Sequence, residues 1–370
     1  MGGLFSVYGI VALFSYIFGG ALADRFLPGK LISISLVTTA FGGLILSTYP
    51  SLFILQILYG YWGFTTVFLF WGAMIKGTRL WGGTKNQGQA FGFLDGGRGM
   101  VAAIMGSIGV FIYSFFLEIN VKDASIIERQ DAFRYVILFT SFIIGIVGII
   151  IYLKLKIKPE EKYIVNSSSY SFKNIVAILK LESVWLLMLI ILCAYFGYKV
   201  TDIYSLYASD VMNYDEIESA NIGSLQLYLR PFACILFGFL ADRYRSTFWI
   251  FIGFLVMLIG SVIFASGVVI SSLNVLFFVS LFVLAVGTYA IRALYFTVLK
   301  EGNISIALTG TAVGVISLTG YTPDIFSGPL MGYYLDKFPG LLGHQYVFIY
   351  LAGFSLIGLF CTLRFEKISN

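Results

Sequence analysis

The sequence predicts an all-α polytopic membrane protein, and three observations carry that class. Apolar residues make up 59% of the 370 and charged residues 12%, against about half and a quarter in a soluble domain. Stretches of roughly 20 mostly apolar residues, enough to cross a bilayer core of about 30 Å, recur along the whole chain and leave no soluble domain over. No barrel-type alternation interrupts them, and lipid cannot satisfy an open backbone, so the spans are helices.

Eleven spans follow, at roughly 4–23, 31–49, 51–75, 90–115, 134–154, 183–209, 219–241, 247–267, 273–298, 305–334 and 345–364. The first lacks a basic leader and runs into Asp24-Arg25 instead of a cleavage site, so it reads as a span and not as a signal peptide. Loop charge orients the chain. One set of loops holds sixteen of the Lys and Arg residues: Arg25, Lys30, Lys76, Arg79, Lys85, the run from Lys154 to Lys180, Arg243, Arg245, Lys300, Arg364 and Lys367. The opposite set holds four, Lys122, Arg129, Arg134 and Lys337. The rule that basic loops stay inside places the richer set and the C-terminus in the cytoplasm, and the odd span count then puts Met1 outside.

Residues 155–182, the longest polar stretch, read as a cytoplasmic linker with room for a short surface helix. They divide an N-terminal half, 1–154, with five spans from a C-terminal half, 183–370, with six. The net charge of +5 sits in short loops, which topology explains better than nucleic-acid binding does. Cys193, Cys234 and Cys361 lie in apolar segments and read as small core residues. The single histidine, His344, falls near an external loop, and no His/Cys cluster suggests a metal or a cofactor.

The chain repeats itself. Moving residue 24 onto 242 lays SVYGIVALFSYIFGGALADR on SLQLYLRPFACILFGFLADR, matching Ser6 with Ser224, Phe14 with Phe232, Gly20 with Gly238, and Leu-Ala-Asp-Arg in full. Nearby registers place Gly88-Gln-Ala-Phe-Gly92 on Gly310-Thr-Ala-Val-Gly314, Gly106 on Gly328, and Lys76 on Lys300. Registrations in one order indicate two halves of like topology, related by an axis along the membrane normal. A carboxylate at a helix end on the cytoplasmic face can accept from a neighbouring helix N-terminus and pair with loop cations, a contact that one packing makes and another breaks.

With those residues in view, the sequence resembles the major facilitator superfamily, whose mark is G-x-L-[AG]-D-[RK] between the second and third helices of each half. Here the mark reads Gly20-Ala-Leu-Ala-Asp24-Arg25 and Gly238-Phe-Leu-Ala-Asp242-Arg243. The resemblance covers essentially the entire chain and implies two pseudo-symmetric six-helix halves. It also implies that Gly20, Asp24, Arg25, Gly238, Asp242 and Arg243 form conformational latches. In the family the motif follows the second helix, and here Asp24 follows the first, so the resemblance implies one more helix ahead of residue 1. The family's fifth-helix Gly-Pro is Gly106-Ser107 here, while Gly328-Pro329 stands at the matching place in the second half; the drug-exporter branch is less favoured for that reason.

Charges inside spans are costly in lipid and should face partners or water. Asp95 and Arg98 are spaced to pair on one helical face, as are Lys199 and Asp202. Lys199, Asp202, Arg230 and Asp324 fall near the bilayer middle, where transporters with internal repeats hold substrate. Pro231 and Pro323, beside two of these charges, suggest locally broken helices. Lys199 and Arg230, with Tyr204 and Tyr228, are the candidates for substrate binding. Asp202 and Asp324 are the candidates for carrying a coupling proton. Asp95, Arg98 and Arg292 remain as further intramembrane charges.

The expected function is secondary transport of a small polar solute, favouring an organic anion because of the midplane cations. The partners are that solute, a coupling proton and the lipid bilayer, with the chain acting as a monomer in a bacterial inner membrane. No paired His/Asp, nucleophile elbow or metal motif points to an enzyme. A carrier of neutral sugars or drugs, and a transport-incompetent sensor or fragment, stay open on sequence alone.

Overall fold

A computed structural model describes residues 2–117, 124–155 and 172–369. Lys122 and most of the predicted linker, with Lys156, Lys158 and Lys162, lie outside the described residues.

The described chain is helical from one end to the other. Helix α1 (Gly2–Arg25) is followed by α2 (Pro28–Leu46), which Pro28 starts in the first turn, where its missing N–H costs nothing. Next comes α3 (Leu52–Gly63), which passes through a π-helical turn at Phe64–Leu69 into α4 (Trp71–Gly82). Helix α5 (Gln87–Phe116) and α6 (Ile126–Lys154) complete the first predicted half. A capping box between Ser125 and Glu128 satisfies the N-terminal donors of α6.

A short helix, α7 (Phe172–Leu179), ends the linker, as its sequence allowed. Then follow α8 (Glu182–Val200), a 3₁₀ turn at Thr201–Ile203, and α9 (Tyr204–Asp210). The remaining helices are α10 (Glu216–Arg243), α11 (Ser246–Ala265), α12 (Asn274–Leu294), α13 (Thr309–Gly320), α14 (Pro323–Lys337) and α15 (Leu341–Ser369).

Among the described residues, ten helical segments are long and apolar enough, by length and composition, to cross a membrane. The tenth predicted span, 305–334, is present as two pieces, α13 and α14 of 12 and 15 residues, interrupted at Tyr321–Thr322 just before Pro323. The break expected at Pro231 does not occur, and α10 runs through it without interruption. Proline removes one backbone donor, and within a membrane helix neighbouring groups can absorb that loss. A break the sequence did not announce lies between α8 and α9, next to Lys199 and Asp202.

Two compact units emerge. The first holds residues 1–80, 101–178 and 305–315, and the second holds 81–100, 179–304 and 316–370. Each therefore consists mainly of one predicted half and takes a short segment from the sequence of the other. In the first unit α2 packs along α6, with the Ser33 hydroxyl donating to the Gly148 carbonyl at 2.7 Å. In the second, Tyr207 stands among Phe264, Phe277 and Phe348, and its hydroxyl donates to the Val269 carbonyl at 2.7 Å. His344, in the first turn of α15 just past the loop at 338–340, is fully buried against this aromatic group, with Nε2 at 3.1 Å from Asp210. All three cysteines are buried and unpaired, the core role expected of them.

Candidate functional site

Each Leu-Ala-Asp-Arg motif ends a helix and delivers its carboxylate to the first turn of a helix from elsewhere in the chain. In the first unit, Asp24 Oδ1 accepts from Gly310 N at 2.7 Å, and Oδ2 accepts from Thr311 N at 2.7 Å and Thr311 Oγ1 at 2.6 Å. In the second unit, Asp242 Oδ1 accepts from Gly88 N at 2.6 Å, and Oδ2 accepts from Gln89 N at 2.9 Å. Both carboxylates satisfy donors that a helix start leaves open, at the positive end of its dipole.

Glycine is required at these contacts because the backbones touch. A Cβ on Gly238 would lie 2.6 Å from the Gly88 carbonyl oxygen and 3.1 Å from the Gly92 Cα, and one on Gly20 would run into the Gly310 carbonyl. The two glycine repeats that align with each other, Gly88/Gly92 and Gly310/Gly314, are the surfaces on which the two motifs dock.

The motif arginines, Arg25 and Arg243, are exposed. The cation at Asp24 is Lys76 of α4, 0% exposed, with Nζ 3.5 Å from Asp24 Oδ1 and donating to the Ala23 and Asp24 carbonyls at 3.2 and 2.9 Å. Lys76 thus also caps the C-terminus of α1, where a cation is favoured. Its repeat counterpart, Lys300, is exposed and donates to the Thr84 carbonyl at 2.9 Å.

A second constellation lies wholly in the second unit. Asp95 of α5, 5% exposed, is a shared counter-ion. Arg230 of α10, also 5% exposed, donates to both its oxygens at 2.8 and 3.2 Å. Arg292 Nε of α12 lies 3.4 Å away, and Arg98 Nη1 lies 3.6 Å away. The Cys234 thiol also points at Asp95 Oδ2, at 3.5 Å. Arg292 sits 3.7 Å above the centre of the Tyr198 ring, a desolvated cation–π contact worth about 2 kcal/mol.

Beside this buried set is a more open one at the two helix breaks. Lys199 Nζ stands between Asp202 Oδ2 at 3.2 Å and Asp324 Oδ1 at 3.7 Å. The Tyr195 hydroxyl lies 3.1 Å from both oxygens of Asp324, which is in the first turn of α14. Tyr195 also faces Arg292, 5.5 Å from its ring centre, so one aromatic residue joins the two sets.

A family model for the Major Facilitator Superfamily matches residues 1–321. The chain belongs to that superfamily. Among relatives of this transporter chain, the inner membrane protein YqcE of Escherichia coli strain K12 is 22% identical over all of it and 86% of the relative. YihN, an inner membrane protein of the same strain, is 25% identical over 99% of the chain and 86% of the relative. In fold, the superfamily transporter FucP in its outward conformation aligns with a TM-score of 0.78 at 13% identity, over 100% of this chain and 89% of FucP. A bacterial homologue of the iron transporter ferroportin aligns with a TM-score of 0.70 at 11% identity, over 98% and 89%. The chain is a superfamily membrane transporter with the all-α fold expected of it, and the members it resembles are transporters and not enzymes.

Within this superfamily chain the expected pairs Asp95/Arg98 and Lys199/Asp202 both form, as helical spacing allowed. Arg230, grouped with Lys199 on sequence, is instead bound to Asp95, and Arg292, left unassigned, belongs to the same cluster. Tyr204 is fully buried with its hydroxyl unpartnered among the described residues, while Tyr228 is exposed. Tyr195 and Tyr198 prove to be the aromatic residues that touch the charges. Their four-residue and one-residue spacing from Lys199 was the available signal.

Proposed function

We propose that this chain is a secondary transporter that moves a small polar organic anion across an inner membrane by alternating access, with a proton as the coupling ion and its C-terminus in the cytoplasm. The observation that carries the reading is the excess of cations in the buried cluster, where Arg230 and Arg292 share the single carboxylate of Asp95. Burying charge in a membrane is expensive, and an uncompensated cation at this depth is explained by an anion that arrives from outside.

In this reading Lys199 and Arg230 supply the field that draws the anion in, and Tyr204 and Tyr228 belong to the surrounding wall. Asp324 or Asp202 exchanges the proton. Both are half exposed beside Lys199, so water can reach either carboxylate to deliver a proton. Asp24 and Asp242 are latches whose caps form in one state of the cycle and open in another, biasing the equilibrium by their differential strength. The two halves, 1–154 and 183–370, move as the alternating bodies.

The test is uptake into proteoliposomes with and without an inward proton gradient. Lys199→Gln and Arg230→Gln should raise the apparent KM for an anion. Asp324→Asn should spare exchange and abolish accumulation driven by the gradient. Wild-type kinetics in well-folded Lys199 and Arg230 variants, or uptake confined to neutral solutes, would overturn the anion assignment.

A further inference from the structure

We propose that Arg292 is the residue that receives the negative group of the substrate, and that this group carries one charge; the proposal deepens the anion reading above and rests on it. The three cations near the helix breaks differ in how much of their bonding capacity is spent. Lys199 is held between two carboxylates, at 3.2 and 3.7 Å. Arg230 grips both oxygens of Asp95. Arg292, 8% exposed, has Nε 3.4 Å from Asp95 Oδ2, an ion-pair distance, but its buried Nε and Nη1 donate no hydrogen bond among the described residues, and Nη1 has no ion pair there either.

Guanidinium donors left unmade in the interior are costly, and a residue placed there for packing alone would be expected to have them satisfied. The ring of Tyr198, 3.7 Å from the guanidinium centre, lies against one face of the group. A ring on the face leaves the in-plane N–H edge for an acceptor, and a planar fork suits the two oxygens of a carboxylate better than an ammonium does. Arg292 is also in the last turn of α12, where the helix dipole favours a cation.

Charge counting sets the valence. Among the nine-tenths-buried groups of the cluster around Asp95, Arg230 and Arg292 carry two positive charges and Asp95 one negative charge, so one further negative charge closes the sum of that cluster. A monoanion does this, whereas a dianion would leave an unpaired charge in a low-dielectric site. Tyr195 then links occupancy to the second set, because its ring faces Arg292 and its hydroxyl meets Asp324.

The experiment uses the full chain in lipid nanodiscs, with calorimetric titration of sodium gluconate and sodium galacturonate as monoanions, disodium galactarate as a dianion, and galactose as a neutral control, at constant ionic strength. A monoanion should bind best. Arg292→Gln should weaken it by at least about tenfold, Arg292→Lys by less, and Lys199→Gln by no more than about threefold. If a monodisperse Arg292→Gln binds like wild type while Lys199→Gln loses binding, the Arg292 assignment falls and the anion reading stands. Tighter binding of the dianion overturns the single charge. If galactose binds and the acids do not, or if no acid binds at about 50 mM, the anion reading and this proposal fall together. If neither Arg292 variant is recovered folded, Arg292 is a packing residue and the proposal falls.

Discussion

Asp24 and Asp242 occupy the same place in the same four-residue motif, yet their surroundings differ. Asp24 is 4% exposed, takes three hydrogen bonds from Gly310 and Thr311, and has the fully buried Lys76 beside it. Asp242 is half-buried and takes two backbone hydrogen bonds. It lines a cleft of about 520 Å³ with Lys85, Arg243, Lys300 and Glu301. The repeat supplied the carboxylate, the glycines and the lysine twice, and what separates the copies is water. In the first unit the ion pair is desolvated and the partners depend on one another, whereas in the second Lys300 has turned to the Thr84 carbonyl and solvent reaches the cap. Helix packing is duplicated here and electrostatics are not.

The largest effect should come from Asp24→Asn, which leaves the Lys76 ammonium buried without its counter-ion. Breaking such a pair costs about 3–5 kcal/mol, so the melting temperature of the purified protein should fall well below that of the wild type. Adding Lys76→Met to Asp24→Asn should recover much of the loss, because an apolar chain needs no counter-ion. If Asp24→Asn melts like wild type, the buried pair is not what distinguishes this copy.

Gly20→Ala and Gly238→Ala should come next and should resemble each other. Each added methyl meets backbone atoms, which give way only if two helices part, and overpacking of this kind costs about 1–3 kcal/mol. Melting curves for the two variants measured side by side check whether the packing is as symmetric as the contacts. A tolerant Gly238 with an intolerant Gly20 would extend the asymmetry from charge to packing.

A smaller effect is expected of Asp242→Asn, about 1 kcal/mol, since water can replace a lost acceptor and the amide oxygen still caps one N–H. Its transport rate should change more than its melting temperature, which separates a latch from a structural cap. Arg25→Gln and Arg243→Gln should leave the melting temperature unchanged, as exposed charges contribute little. A measurable drop in either would restore the arginine to the latch.

The limits of legibility follow the distance over which a signal acts. Spans, the repeat and the two i,i+3 pairs were readable because bilayer thickness and helix pitch are local rules. The break at Pro323 was readable for the same reason, but its twin at Thr201–Ile203 was not, because nothing in Val-Thr-Asp-Ile forbids a helix. Pro231 misled, since whether a helix breaks at proline depends on its neighbours. Asp95 with Arg98 looked self-sufficient, and yet the shorter contact goes to Arg230, 135 positions away.

By itself the sequence determined that this chain is a helical membrane transporter built on a repeat, which charges fall in apolar segments, and where two carboxylates end two helices. Those properties depend on composition, on spacing within one helix, and on a motif copied whole. Only the tertiary structure decided that Arg230 and Arg292 converge on Asp95, that Arg292 keeps two buried donors without a hydrogen bond among the described residues, and that Lys76 is buried while Lys300 is not. The energy of a charge depends on its desolvation and on partners brought in from distant helices, and no local pattern encodes either.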